Sequence, residues 1–132
     1  MQNEQNDLQD RTKRFALQII RLFSALPKVT EAQVLGRQLL RSGTSIGANY
    51  REAYRGRSKA DFISKCGDSL RELEETAYWL ELLVQATIVP PETLEALALE
   101  CDEPIAISLR FSSARRTLLS SSFSHLRLEL PS

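Results

Sequence analysis

From Phe62 to Val84 the apolar residues Phe62, Cys66, Leu70, Leu73, Ala77, Leu80 and Val84 return at steps of four, four, three, four, three and four. Only a helix brings such positions onto one face, and a stripe this long is the seam of a helix bundle or coiled coil. A helix over residues 58–86 would span ~40 Å at the helical rise per residue. Ile63, Trp79 and Leu83 widen its apolar face, so it can touch more than one neighbour. The rest of the chain has to supply those neighbours.

Three further segments carry the same period. Phe15, Ile19, Leu22, Phe23 and Leu26 predict a first helix over residues 7–26, ended by Pro27 because the residue before a proline avoids the helical region. Thr30 is the expected N-cap of a second helix over residues 31–55, with Leu35, Leu39, Ile46, Tyr50 and Tyr54 on its stripe. Gly43, Thr44, Ser45 and Gly47 fall inside that helix. Each glycine there costs ~1 kcal/mol relative to alanine, so the cluster is either a loop or a helix narrowed for close packing. Phase favours the continuous helix, since Leu39 to Ile46 is a step of seven and Ile46 to Tyr50 a step of four. Gly36, Gly43 and Gly47 then form a face without side chains.

Gly56 is the expected C-cap of the second helix, and Ser58 with Asp61 has the spacing of a capping box for the third. So short a joint makes an antiparallel hairpin. A fourth helix over residues 91–119 opens on Pro91 and continues through Leu94, Leu97, Cys101, Ile105, Leu109, Ser112 and Leu119. Pro104 lies inside it and costs ~3 kcal/mol or more unless the helix kinks. Residues 120–132 lack a stripe and are expected to form a flexible tail. The fold class read from these periods is all-α, an antiparallel four-helix bundle.

A chain of 132 residues, 42% hydrophobic and 26% charged, suits one globular domain over residues 1–132. No apolar run approaches the ~20 residues of a membrane span, and the polar start MQNEQNDLQD has no secretion signal, so the expected address is cytoplasmic. Cys66 and Cys101 have no C-x-x-C spacing and fall among apolar helical positions, where reduced packing cysteines are expected.

Catalytic chemistry finds no constellation. Glu72, Glu74, Glu75 and Glu81 offer carboxylates, but the one histidine, His125, lacks the Glu-x-x-His spacing of a di-metal bundle site. Arg116 precedes His125 by nine positions, too far for the arginine–histidine pairing of bundle-type ribonucleases. Ser120, Ser121, Ser122 and Ser124 have no scaffold to hold a nucleophile. No catalytic, metal or cofactor residue is assigned, and a non-enzymatic protein is expected.

Recognition is the better supported class. Net charge is zero, yet residues 1–60 hold 11 basic and 5 acidic side chains, residues 61–104 hold 2 and 11, and residues 105–132 hold 4 and 1. Arg51, Arg55, Arg57 and Lys59 crowd the joint, with Arg37 and Arg41 farther down the second helix. Arginine forks suit phosphate oxygens, which makes these six residues the candidate nucleic-acid interface. The competing account is a solvated face whose arginines pair with the glutamates of helix three. Ser45, Asn49, Ser69 and Glu72 are placed to hydrogen-bond across the hairpin, as a register-setting polar network or as a ligand pocket. Tyr50, Tyr54, Tyr78 and Trp79 serve either as core and interface or as stacking platforms for bases.

The order Gln38, Leu39, Ser42, Ser45, Ile46, Asn49, then Arg57, Phe62, Gly67, Ser69, Leu70, Glu72, Leu73, resembles the bacterial 23S rRNA intervening-sequence protein family, over roughly Phe15 to Leu119. Family members commonly read Asn-Ile-Ala-Glu-Gly where this chain has Asn49, Tyr50, Arg51, Glu52 and Ala53, and they keep an unbroken helix around the position of Pro104. The resemblance implies an up-down-up-down bundle assembling into a ring-shaped homopentamer without enzymatic activity. It also implies partners: related proteins of diversity-generating retroelements bind a reverse transcriptase and nucleic acid. Repeated around a ring, the arginine cluster would become a continuous basic rim. The expected function is therefore binding of structured RNA or RNA/DNA, with a protein adaptor for a partner such as a reverse transcriptase as the alternative.

Overall fold

The computed structural model describes residues 2–101, which form four helices: α1 (Gln2–Ala25), α2 (Thr30–Ala53), α3 (Lys59–Gln85) and α4 (Pro91–Cys101). Among the described residues there is no strand. Residues 102–119 of the expected fourth helix, Pro104 among them, and the expected tail at 120–132 lie outside the described residues.

α1 starts at Gln2, five residues ahead of the start expected at position 7. Its buried stripe continues below Phe15 through Thr12 and Leu8, and the buried threonine breaks the apolar pattern that sequence reading follows. After Pro27 the chain enters α2 through Val29, not Thr30: Val29 has the extended backbone of an N-cap, and Thr30 is already helical. Valine offers no capping oxygen. Instead the Gln33 side chain reaches back to donate to the Pro27 carbonyl at 2.9 Å, which ties the turn to the first coil of the helix.

α2 runs unbroken through the glycine and serine cluster, as its phase requires. Gly36, Gly43 and Gly47 face α1. A β-carbon on Gly43 would stand 2.9 Å from Ile19 Cγ1, one on Gly47 2.9 Å from Thr12 Oγ1, and one on Gly36 2.5 Å from Leu26 Cδ1. The partners descend along α1 as the glycines ascend α2, so the two helices run antiparallel with little more than side-chain thickness from one of them between.

At its far end α2 tightens rather than stopping at residue 55. Tyr54, Arg55 and Gly56 N–H groups donate to the carbonyls three residues back, at 3.2, 3.0 and 3.2 Å. Gly56 does not take the left-handed conformation expected of a C-cap. Its reason is room, since a β-carbon would lie 2.8 Å from Asp61 Cβ. The capping box is present: Asp61 N–H donates to Ser58 Oγ at 3.1 Å, and the Asp61 carboxylate accepts from the backbone N–H of Arg57 at 3.3 Å.

α3 buries Phe62, Cys66, Ser69, Leu73, Thr76, Leu80 and Leu83. The seam thus passes through Ser69 and Thr76 where Leu70 and Ala77 were expected; Leu70 is only partly buried and Ala77 is exposed. Two hydroxyls tie this seam to α2. Ser69 Oγ donates to the Ile46 carbonyl at 2.8 Å, and the Thr76 and Ser42 hydroxyls lie 2.8 Å apart. Position 42 meets 76 while 46 meets 69, so α3 runs antiparallel to α2. Cys66 is a fully buried thiol on this seam; the Cys101 side chain is outside the described residues.

α3 ends in a Schellman turn. Ile88 N–H donates to the Leu83 carbonyl and Thr87 N–H to that of Val84, both at 2.9 Å, while Thr87 takes φ 62. Threonine is a poor occupant of that region, because its branched β-carbon crowds the backbone. Beyond the turn, Val89 is buried and α4 returns toward α1 and α3.

Two expected outcomes follow from this packing. Gly43→Ala gains ~1 kcal/mol of helix propensity but forces Ile19 to move, and overpacking of this kind costs ~1–3 kcal/mol, so urea unfolding should show a net loss. Gly67→Ala in α3, whose β-carbon would meet only Arg71 at 3.8 Å, should show a gain of ~1 kcal/mol in the same assay. Separately, Thr87→Gly should raise stability by ~1 kcal/mol, since a left-handed non-glycine residue costs ~1–2 kcal/mol, partly offset by the entropy of glycine in the unfolded chain. A lower midpoint in thermal unfolding would count against the strain.

Candidate nucleic-acid interface

The six basic residues named from sequence divide into two groups. On α2, Arg37, Arg41 and Arg51 fall within about a quarter-turn of one another at the helical repeat of ~100° per residue; these three and Arg55, two residues past the end of the helix, are exposed. This face points between neither neighbour: the glycines take one side of α2 toward α1, and Ser42 and Ile46 take another toward α3. Arg57 and Lys59, also exposed, extend the basic surface across the joint onto the start of α3.

Arg41 is committed to the hairpin. Its guanidinium pairs with Glu72 at 3.2 Å and also with Glu75. The Glu75 hydrogen bond leads the causes that raise the Arg41 pKa above its ordinary value. Glu75 in turn accepts from Trp79 Nε1 at 3.1 Å, and that bond, followed by Arg41, holds its carboxyl below the usual range against the opposing effect of desolvation. For Arg41, pairing with helix three is what the structure contains.

The joint is different. Among the described residues no carboxylate lies within ion-pair distance of Arg51, Arg55, Arg57 or Lys59. The two nearest acids are occupied elsewhere. Glu52 pairs with Lys65 on α3 at 2.9 Å, which lowers the Glu52 carboxyl and raises the Lys65 ammonium from their ordinary values. Asp61 is engaged by the Arg57 backbone N–H. From Arg51 to Lys65 the chain carries five basic and two acidic side chains, so the surface there is net positive by three.

Two clefts flank the joint. One, of about 460 Å³, is lined by Glu52, Arg55, Arg57, Asp61 and Lys65 and mixes both signs of charge. The other, of about 220 Å³, is lined by Tyr54, Arg57, Ser58, Lys59 and Phe62 and has no acid in its wall. Two rings line that second cleft, Tyr54 and Phe62, 5.0 Å apart between centroids; behind them Tyr54 meets Tyr50 at 5.3 Å, each contact edge to face, and the Tyr50 hydroxyl donates to that of Tyr54 at 3.1 Å.

The polar residues expected to cross the hairpin do so only in part. Ser69 and Glu72 reach α2, through the Ile46 carbonyl and Arg41. Ser45 turns its hydroxyl to the Arg41 carbonyl of its own helix at 2.7 Å, and Asn49 is half-buried on α2. Ser42 and Thr76, fully buried, carry the contact that sequence reading assigned to Ser45 and Asn49. The signal was available as two small polar residues seven and three positions from neighbours already on the seam. Among the described residues, no cluster of three histidine, cysteine, aspartate or glutamate side chains could hold a metal ion, and no helix is long and apolar enough to cross a membrane.

Comparison with known proteins matches residues 4–108 to the family model described as 23S rRNA-intervening sequence protein. Among solved structures, the 1.70 Å crystal structure of a protein of unknown function from the S23 ribosomal protein family of Bacteroides thetaiotaomicron is similar, with 39% identity and a TM-score of 0.79. The match covers 84% of this chain and 98% of that one. No curated protein matches.

Glu75 supplies a pH test of the α2–α3 pairing. Its folded carboxyl titrates below the ordinary glutamate value, so its contribution to stability is complete above ~4.3 and is lost as the pH falls through the folded value. Trp79 is the one tryptophan of the chain and donates to that carboxylate. Its emission should therefore titrate with a midpoint below ~4.3, and Glu75→Gln should remove the transition. A midpoint at or above the ordinary value would contradict the pairing.

Proposed function

The chain belongs to the 23S rRNA-intervening sequence protein family, and from that premise we propose that it is a non-enzymatic RNA-binding protein that grips backbone phosphates through Arg51, Arg55, Arg57 and Lys59. The observation that carries this reading is the contrast between Arg41, bound to Glu72 and Glu75, and the four basic side chains at the joint, which make no ion pair among the described residues. With five basic and two acidic side chains from Arg51 to Lys65, the joint keeps a net positive surface suited to an external anion. Guanidinium forks favour phosphate, and the short joint presents them from two helices at once. Arg37 extends the same face.

The bundle is read as up-down-up-down and as a homo-oligomer, in the family pattern a pentameric ring. Repetition around a ring would set several copies of the joint side by side and raise the effective concentration of cations for a long polyanion. The cytoplasm is the compartment where such RNA is met. The second reading, a protein adaptor for a partner such as a reverse transcriptase, is favoured by the opposite face: α3 presents Glu74, Glu81 and an exposed Tyr78 packed on Trp79.

A salt series separates the two. If four phosphates are neutralised, log affinity for a mixed single-stranded RNA pool should fall with log salt at a slope of about −3. The variant with Arg51, Arg55, Arg57 and Lys59 all changed to alanine should lose most of that slope while keeping the helical circular dichroism of the parent. A flat salt response, or partner capture that survives nuclease treatment, would favour the adaptor.

A further inference from the structure

We propose that the acid-free cleft beside the joint receives one unpaired nucleobase, so that the RNA bound there is single-stranded or bulged and not a continuous duplex. The inference rests on the phosphate-binding reading of the joint and adds to it what kind of RNA the joint takes.

The cleft has two kinds of wall. Tyr54 and Phe62 form the aromatic side, and Arg57, Ser58 and Lys59 the polar side, with no carboxylate among the lining residues. Its volume of about 220 Å³ is below the ~300–1,000 Å³ of ordinary small-molecule sites, a size that suits one flat ring. Tyr54 is half-buried, and its ring is fixed by Tyr50 on one side, Phe62 on another and the hydroxyl bond from Tyr50. A ring already held in place loses little freedom when a base packs on it. Every base has a flat apolar surface that stacks on an aromatic side chain, while the phosphates on either side need cations within reach. Arg57 and Lys59 flank the recess and make no ion pair among the described residues. In a duplex the bases are stacked inward, and only the cations could be used.

The sorting of aromatic side chains supports the choice of cleft. Tyr50 is 1% exposed and serves the core, and Trp79 is held by Glu75 farther along α3 from the joint. Of the two rings that line the cleft, Phe62 is buried and Tyr54 is the more exposed.

The test uses the full chain, a short fluorescent single-stranded RNA, and the same strand annealed to its complement, in one buffer. The parent should bind the single strand roughly tenfold more tightly than the duplex, within the range that one stacked base contributes. Tyr54→Leu should bring single-strand affinity down to the duplex level and leave duplex affinity unchanged, whereas Tyr54→Phe should keep the preference. As a measurement independent of any variant, a strand carrying 5-iodouridine should photocrosslink to Tyr54 of the parent. Equal affinity for the two forms, a preference that survives Tyr54→Leu, or a crosslink that is missing or maps to Tyr78 or Trp79 overturns the inference while leaving phosphate binding intact. Binding of neither RNA removes the phosphate reading itself, and this inference with it.

Discussion

Close approach of α1 to the glycine face of α2 sets the distances on which the other contacts depend. With Ile19 and Thr12 seated where β-carbons of Gly43 and Gly47 would be, α2 is held against α1 along one side. The adjoining side, ~100° round the helix, then meets α3 through Ser42 and the Ile46 carbonyl. A side chain at any of the three glycines would push the first pair apart, and cores at this density cannot take up the difference without loss. The hydroxyl contacts between α2 and α3 complete the arrangement. They satisfy groups that would be costly to bury alone, and they do so in only one register.

Much of this was legible in the chain because helical phase survives interruptions of composition. The glycine and serine cluster reads as a loop by propensity and as a helix by phase, and phase prevailed because close packing compensates for what glycine costs. The Ser58–Asp61 cap was legible for a similar reason: its spacing is local and needs no partner elsewhere. The misread features are those in which a residue type stands in for another. Ser69 and Thr76 occupy seam positions that Leu70 and Ala77 fit better by hydropathy, because a small hydroxyl can be buried if it finds an acceptor across the interface. Val29 caps without a capping side chain, and Gln33 ties the turn down by donating to the Pro27 carbonyl. Thr87 fills a position where glycine would have announced the turn.

The division of the arginines could not be read from sequence at all. Arg41 and Arg55 have the same chemistry, yet one is bound to two glutamates and the other makes no ion pair among the described residues. Which acids each can reach depends on the register of α3, and that register is set by buried Ser42 and Thr76, the chain neighbours of Arg41 and Glu75. Core packing in this way decides the electrostatics of the surface. Glu52 is paired with Lys65 across the hairpin in the same register, so the arrangement of charge beside the joint is a by-product of how the hairpin aligns.

The four basic side chains at the joint are all exposed, and the cap that shapes the turn is made by Ser58, Asp61 and one backbone N–H of residue 57. Replacing the charges therefore leaves the scaffold without a debt to settle. Descendants of such a chain can exchange those side chains one at a time and acquire a new binding preference, while selection on the seam continues undisturbed. The bundle can change its clientele without relearning how to fold.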